Sequence, residues 1–454
     1  MKNFDHIIVG TGQATGTLLG KLIPTKSSIA VIEGGKIGGS CVNYGCTPTK
    51  TMVASAKALH QARRGEFYGF EAKPIINFER VVERMNEVRN ASSNGLTDWI
   101  ESTENVTLFR DYTSFTSDKT LKVGNDEIKG ENIYLNVGTR PSLPPVAGIE
   151  EVNWMDSAKL LELTTLPKHL IVIGGGYIGV EFAQVFKRLG SEVSVIQRGK
   201  QLMPNEDKDV ADSVLGVLQG EGIEVHLQTA AKSITEDSSI RLIVESEGKE
   251  RLIKGSHLLV ATGRMPNSDT LGLENTKIKT NKRGFIEVDD YCRTGVEGVF
   301  AVGDVNGYGA FTHTAVNDGE IVLDYLFGGS RKLSQRIPIH GLFTDPPLGR
   351  VGLSEKAALE KGHKLLKAIM PMGQISRAKE MGETQGFAKL LVDADTDLIV
   401  GAAIHGPGGD EIINMFAAIM HSNIPCEKYR EVVLVHPTVS ELMPYVLDSL
   451  KPVS

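Results

Sequence analysis

The sequence predicts an α/β chain with two Rossmann-like nucleotide-binding units and a smaller α+β domain behind them. Three observations carry this reading. The stretch FDHIIVGTGQATGTLLGKL reads as strand, glycine turn and helix, with Gly10 and Gly12 in the first two positions of the G-x-G-x-x-G fingerprint. The stretch HLIVIGGGYIGVEFAQVFKRLG repeats the pattern, with Gly174, Gly176 and Gly179 in all three positions. In both units the next strand ends 23 residues after the first glycine, at Glu33 in SIAVIE and at Gln197 in SEVSVIQ. One fingerprint alone is weak. Two in strand–turn–helix context, at matched distances, make chance recurrence a poor explanation.

In the first unit Thr15 holds the third fingerprint position with Gly16 beside it, so helix–strand packing there is expected to depart from the pattern. Each unit is expected to seat a dinucleotide pyrophosphate at its helix N-terminus. Glu33 suits a free ribose 2′-hydroxyl. Gln197 carries no charge and is followed by Arg198 and Lys200, an arrangement that accommodates a 2′-phosphate. The second dinucleotide therefore reads as NADPH, with NADH the lesser choice. The plain alternative is that Arg198 and Lys200 are solvated loop charges.

After the first unit's second strand comes GGSCVNYGCTPTK, residues 38 to 50, with two of the four cysteines, Cys41 and Cys46. Their spacing does not fit the usual zinc pairs, and neither Cys292 nor Cys426 supplies a second pair, so no metal site is expected. On an ideal helix these two positions lie about 8–9 Å apart. A disulfide needs its Cα atoms within roughly 7 Å. A bond between them requires distorted backbone, which Gly45 permits, and such a bond is readily reduced. The pair reads as a working disulfide; two buried cysteines in a packed loop are the plain alternative.

The following TPTKTMVASAKALHQARR reads as a helix with Met52, Val53, Ala56 and Leu59 on one face. Thr47 is the expected N-cap and Pro48 the first helical residue. Cys46 then lies beside the positive end of the helix dipole, with Lys50 in the first turn, and both favour a thiolate.

Composition is that of a soluble globular protein, 41% hydrophobic and 23% charged, with a net charge of −7. That balance argues against nucleic-acid or anionic-membrane partners. No apolar run is long enough to span a bilayer, and the N-terminus enters a strand with no signal-peptide architecture. A cytoplasmic location is expected. The domain reading is a discontinuous first unit at 1–150 and 265–335, a second unit at 151–264, and an α+β domain at 336–454. In the last, FAKLLVD reads as a strand, and GGDEIINMFAAIMHS as a helix with Ile412, Met415, Phe416 and Ile419 on its apolar side.

The motifs GTGQAT, GGSCVNYGCTPTK, GGGYIGVEF, LLVATGRMPN, GVFAVGD and HPTVSE occur in the order found in the class I pyridine nucleotide-disulfide oxidoreductases. The chain resembles that family over essentially its whole length. GCTPTKTMVAS and FTDPPLGRVG are most similar to its mercuric-reductase-like and reactive-chlorine-resistance branch.

The resemblance implies FAD on the first fold, NAD(P)H on the second, and a C-terminal dimerisation domain in a homodimer. It implies FAD contacts from Gly10, Gly12, Glu33, Gly39, Ser40, Lys50, Gly138 and Asp304. Nicotinamide-nucleotide contacts would come from Gly174, Gly176, Tyr177, Ile178, Gly179, Glu181, Gln197, Arg198 and Gly263. Cys46 is implied as the flavin-proximal charge-transfer thiol and Cys41 as the interchange thiol that attacks substrate. Lys50 is implied to pair with Glu181 near the flavin, Tyr177 to gate the nicotinamide pocket, and Asp304 to hold the ribityl chain. His436 and Glu441 of HPTVSE are implied as the acid–base pair, reaching Cys41 of the neighbouring subunit.

The implied activity is NAD(P)H-dependent reduction of a disulfide. Reduction of a metal ion such as Hg(II) or Cu(II), or of an oxidant, is the alternative. Two departures weigh against mercury chemistry: VLDSLKPVS holds no cysteine pair, and the fold begins at residue 4 with no metal-binding domain before it.

Overall fold

Ile7, Ile8, Val9, Ile29, Val31 and Ile32 are all buried, a continuous apolar run rather than an alternating one. Strands with this pattern sit in a parallel sheet covered on both faces. The computed structural model, which describes residues 1–453, shows that sheet. Its central strand Lys2–Val9 pairs in parallel with Ile29–Ile32 on one side and Asp126–Leu135 on the other. The strand Val299–Ala301 joins it much later in the chain, parallel to Asp126–Leu135. Helices Ala14–Leu22 and Thr312–Leu326 pack together over this sheet.

Glycine is required at the turn after the first strand. Gly10 has φ +92°, and a Cβ there would stand 2.4 Å from the carbonyl oxygen of Asn136. The second unit repeats the geometry: Gly174 has φ +112°, with its phantom Cβ 2.3 Å from the Ala261 carbonyl oxygen. Here the parallel sheet has five strands, in the order Glu224–His226, Glu192–Ile196, His169–Ile173, His257–Val260 and Trp154–Met155. The two crossings between the units, Thr139–Pro141 and Arg264–Pro266, pair with each other as antiparallel strands.

The C-terminal part is a six-stranded antiparallel sheet that includes Phe387–Asp393, the predicted FAKLLVD strand. Helix Gly409–His421 lies on it. Phe416 and Ile419 are buried in its core, whereas Ile412 and Met415 are half-buried at its edge. The apolar side of that helix is therefore mainly core.

A buried ionic seam joins this sheet to the second nucleotide-binding unit. Lys389 is fully buried, its ammonium 3.0 Å from Asp207 and 2.8 Å from Asp209 and in contact with Glu355. Arg350 adds a bond of 3.1 Å to Asp207. A buried lysine is tolerable only when carboxylates surround it in this way. Among the described residues, no helix is long and apolar enough to cross a membrane.

Candidate active site

The cysteine segment is two helices, Gly39–Tyr44 and Cys46–Arg63, broken at Gly45. Gly45 has φ −129° and ψ −119°, a conformation that costs glycine least. The break falls where the sequence asked for distortion. The predicted cap, however, is displaced: Gly45 is the N-cap and Cys46 the first helical residue, so Thr47 does not cap and Pro48 stands third. The shift puts the sulfur within the first turn, where unpaired N–H groups concentrate and favour a thiolate.

Helix Thr312–Leu326 brings a second N-terminus to the same sulfur, with Thr312 Oγ1 3.3 Å from Cys46 Sγ. The hydrogen bond from Cys41, the Thr312 hydroxyl and the Lys50 charge outweigh burial and lower the Cys46 pKa to about 6. Cys41 moves the opposite way, pushed up by the hydrogen bond it gives to Cys46 and by burial. At neutral pH the pair therefore carries one charge, on Cys46, and one proton, on Cys41.

Both cysteines open into an elongated cavity of about 1340 Å³. Gly10, Gly12, Glu33, Gly39, Ser40, Lys50, Gly138 and Asp304 all line it, as do Tyr177, Ile178 and Glu181 from the second unit. The first fingerprint is built for close approach. A Cβ on Gly12 would meet the Asn136 amide oxygen at 2.9 Å, and one on Gly39 would lie 2.8 Å from Gly12 Cα. Thr15 replaces the third glycine by bonding: its hydroxyl donates to the Gly10 carbonyl at 2.9 Å and accepts from Asn136 at 2.9 Å. In the second unit a Cβ on Gly179 would stand only 2.0 Å from the Gly174 carbonyl oxygen.

Glu33 accepts from the Thr11 N–H at 2.9 Å, the Thr11 hydroxyl at 2.6 Å and the Gly35 N–H at 2.8 Å, which fixes its carboxylate at the cavity end. Asp304 takes the Thr139 hydroxyl at 3.0 Å, and burial raises its pKa. A dinucleotide with an isoalloxazine ring fits these features. The glycine loops admit a pyrophosphate, the fixed Glu33 offers its carboxylate to a ribose, and Cys46 lines the same cavity.

Lys50 and Glu181, 131 residues apart, form an ion pair at 2.7 Å, and the second Glu181 oxygen accepts the Phe343 N–H at 2.8 Å. Gly174 and Gly176 hold the second helix N-terminus, and Gly263 lies at the second crossing with φ +150°. The Gln197 side chain turns inward, accepting from Gly175 N–H and donating to the Gln201 carbonyl at 3.0 Å. Arg198 and Lys200 are exposed beside it.

The structure does not bring His436 to the cysteines of its own chain. Its Nδ1 bonds Glu441 at 2.9 Å, and its side chain is 77% exposed.

Sequence reasoning also missed several residues here. His313 sits next to Thr312, lines the cavity and is a candidate acid for the thiols. His313 does not fill that role. Its Nε2 is engaged by the Ile339 carbonyl at 2.6 Å, and burial lowers its pKa. Glu206 and His340, which meet Tyr177, carried no motif that would have singled them out.

Comparison with known proteins gives the family. The model of the pyridine nucleotide-disulphide oxidoreductase family matches residues 4–319, and that of its dimerisation domain residues 340–446. The probable pyridine nucleotide-disulfide oxidoreductase RclA of Escherichia coli is 34% identical over 97% of this chain and 98% of its own. A mercuric reductase of Lysinibacillus sphaericus is 31% identical, over 97% of this chain and 81% of its own. Among solved structures, the HOCl-induced flavoprotein disulfide reductase RclA from Escherichia coli superposes with a TM-score of 0.88 at 33% identity, covering 98% of this chain and 99% of that one. Its Cu(II) complex superposes with a TM-score of 0.89 at 32% identity, covering 99% of both chains. The chain thus belongs to the pyridine nucleotide-disulphide oxidoreductase family, as an FAD-dependent flavoprotein disulfide reductase with NAD(P)H as its electron donor.

Proposed function

We propose that this protein oxidises NADPH to reduce a disulfide substrate through FAD and the Cys41–Cys46 pair. The observation that carries the proposal is geometric: Cys41 and Cys46 open into one cavity with the Lys50–Glu181 ion pair, and Thr312 Oγ1 stands 3.3 Å from Cys46 Sγ. FAD, when bound, supplies the two-electron acceptor that takes hydride from NADPH and returns the electron pair to sulfur. The FAD-binding domain would comprise 1–150 and 265–335, the NAD(P) domain 151–264 and the interface domain 336–454. The late return of Val299–Ala301 to the first sheet supports this division.

The sulfur chemistry then balances as two exchanges. Cys41 loses its proton to His436 of a second subunit and attacks the substrate disulfide, forming a mixed disulfide. The imidazolium, oriented by Glu441, returns that proton to the departing thiolate. Cys46 then attacks Cys41 Sγ, re-forming the Cys41–Cys46 disulfide and expelling the second thiolate, which takes a proton from water. NADPH, one proton and the disulfide thus become NADP⁺ and two thiols. A homodimer is required because His436 stands away from its own cysteines. The exposed apolar side chains of Val433, Val435 and Tyr445 beside it suit a subunit interface. The reaction takes place in the cytoplasm.

A second reading, reduction of a metal ion, is favoured by the likeness to a mercuric reductase and to a Cu(II) complex. One experiment separates the two: NADPH oxidation by purified protein over a panel of disulfides and of Cu(II) and Hg(II) thiol complexes, with wild type and His436→Ala. Turnover of a disulfide that depends on His436 supports the first reading. Metal-dependent turnover that survives the substitution, with no active disulfide, replaces it with the second.

A further inference from the structure

Tyr177 is the first residue of helix Tyr177–Leu189, immediately after Gly176, and its ring lines the cavity near Lys50 and Glu181. Its hydroxyl donates to Glu206 Oε1 at 2.5 Å. His340 Nε2 stands 2.6 Å from that same oxygen and 3.2 Å from the tyrosine hydroxyl. Glu206 belongs to a loop tied to the fingerprint itself, through Met203 N–H to the Gly175 carbonyl at 2.8 Å. His340 comes from the C-terminal domain. Three distant segments therefore converge on one carboxylate oxygen.

That carboxylate is a fixed post. Its side chain is 1% exposed, and its other oxygen has no hydrogen bond among the described residues, with Arg350 Nε 3.6 Å away. Burial opposes its charge, but bonds from His340 and Tyr177 and the charge of Arg350 keep it ionised. Tyr177 lines the same cavity as Lys50 and Glu181 and opens its helix directly after Gly176, so its ring lies between that N-terminus and the surroundings of the ion pair.

We propose that Glu206 and His340 form a latch that holds Tyr177 across this passage, and that the nicotinamide enters by breaking the Tyr177–Glu206 hydrogen bond. The latch rests on the assignment of the second unit to NAD(P)H. Glu206 and His340 are positioning residues, touching Tyr177 rather than the reacting atoms. His340 keeps its bond to Glu206 when the hydroxyl leaves, so the buried carboxylate stays partnered and the ring can return.

The test is NADP⁺ affinity of the FAD-loaded protein, measured by titration calorimetry without turnover. Tyr177→Phe keeps the ring and removes the bond. A latch lowers apparent affinity by the fraction of time it is closed, so this variant should bind NADP⁺ about fivefold more tightly than wild type. Glu206→Gln should shift affinity in the same direction, and the double variant should bind no tighter than Tyr177→Phe alone. Mere structural damage would weaken binding. Affinity unchanged or weakened in Tyr177→Phe, or gains that add in the double variant, overturns the latch and leaves the NAD(P)H assignment standing. Absence of NADP⁺ binding in wild type and variants alike removes that assignment, and the latch with it. If Glu206→Gln does not fold, Tyr177→Phe alone decides.

Discussion

Gln197 Oε1 accepts the backbone N–H of Gly175 at 3.1 Å, the place in the second unit where Glu33 takes the Thr11 N–H in the first. The residue that ends each second strand thus closes its own glycine loop. Gln197 also donates to the Gln201 carbonyl, which a carboxylate could not do.

This separates two effects at the second dinucleotide site. Arg198→Ala should raise the KM for NADPH about tenfold and leave that for NADH nearly unchanged, since a charge-assisted bond to a 2′-phosphate is lost. Gln197→Glu should weaken both nucleotides, because it sets a carboxylate against the Gln201 carbonyl. Steady-state kinetics with each donor checks both. An unaltered NADPH preference in Arg198→Ala would mean that the phosphate is read elsewhere.

Cys46 should report its ionisation through the flavin. Two-electron-reduced protein should show a long-wavelength charge-transfer absorption that grows as pH rises through about 6, the thiolate being the absorbing form. Cys46→Ser should abolish the band, whereas Cys41→Ser should show it without reduction. Identical spectra for the two variants would reverse or void the thiol assignment.

His436→Ala should leave flavin reduction by NADPH nearly intact while slowing disulfide turnover by about 10²–10⁴-fold, the usual contribution of a positioned acid–base group. Mixing it with Cys41→Ser, each inactive towards disulfide, should restore one working site per heterodimer. Failure to recover activity after verified subunit exchange would place the acid elsewhere.

Lys389→Met should destabilise the protein by about 3–5 kcal/mol, since Asp207, Asp209 and Glu355 lose their common cation. Urea unfolding at pH 7 should show the loss. In wild type the surrounding carboxylates raise the Lys389 pKa despite burial. Its contribution is therefore complete below the ordinary lysine range and fades as pH rises through the higher folded value.

What the sequence made legible follows from how its signals are encoded. Gly10, Gly174 and Gly45 were readable because each answers a local backbone demand that no other residue meets. Lys50 and Glu181 were readable only through family resemblance, since nothing local links residues so far apart. Glu206, His340 and Thr312 left no trace: each acts through contacts between segments far apart in the chain, and an isolated Glu, His or Thr has no periodicity. The misplaced cap has the same origin. Thr-Pro is a strong helix-start signal, but the break forced at Gly45 let the helix begin one residue earlier than Thr47, at Cys46.

The ionic seam around Lys389 has a mechanical consequence. Rotating the second nucleotide-binding unit away from the C-terminal sheet would part the Lys389 ammonium from Asp207 and Asp209, and the Arg350 guanidinium from Asp207. The seam thus opposes a hinge between these two parts, and the particle's dimensions in solution should be the same with and without nucleotide.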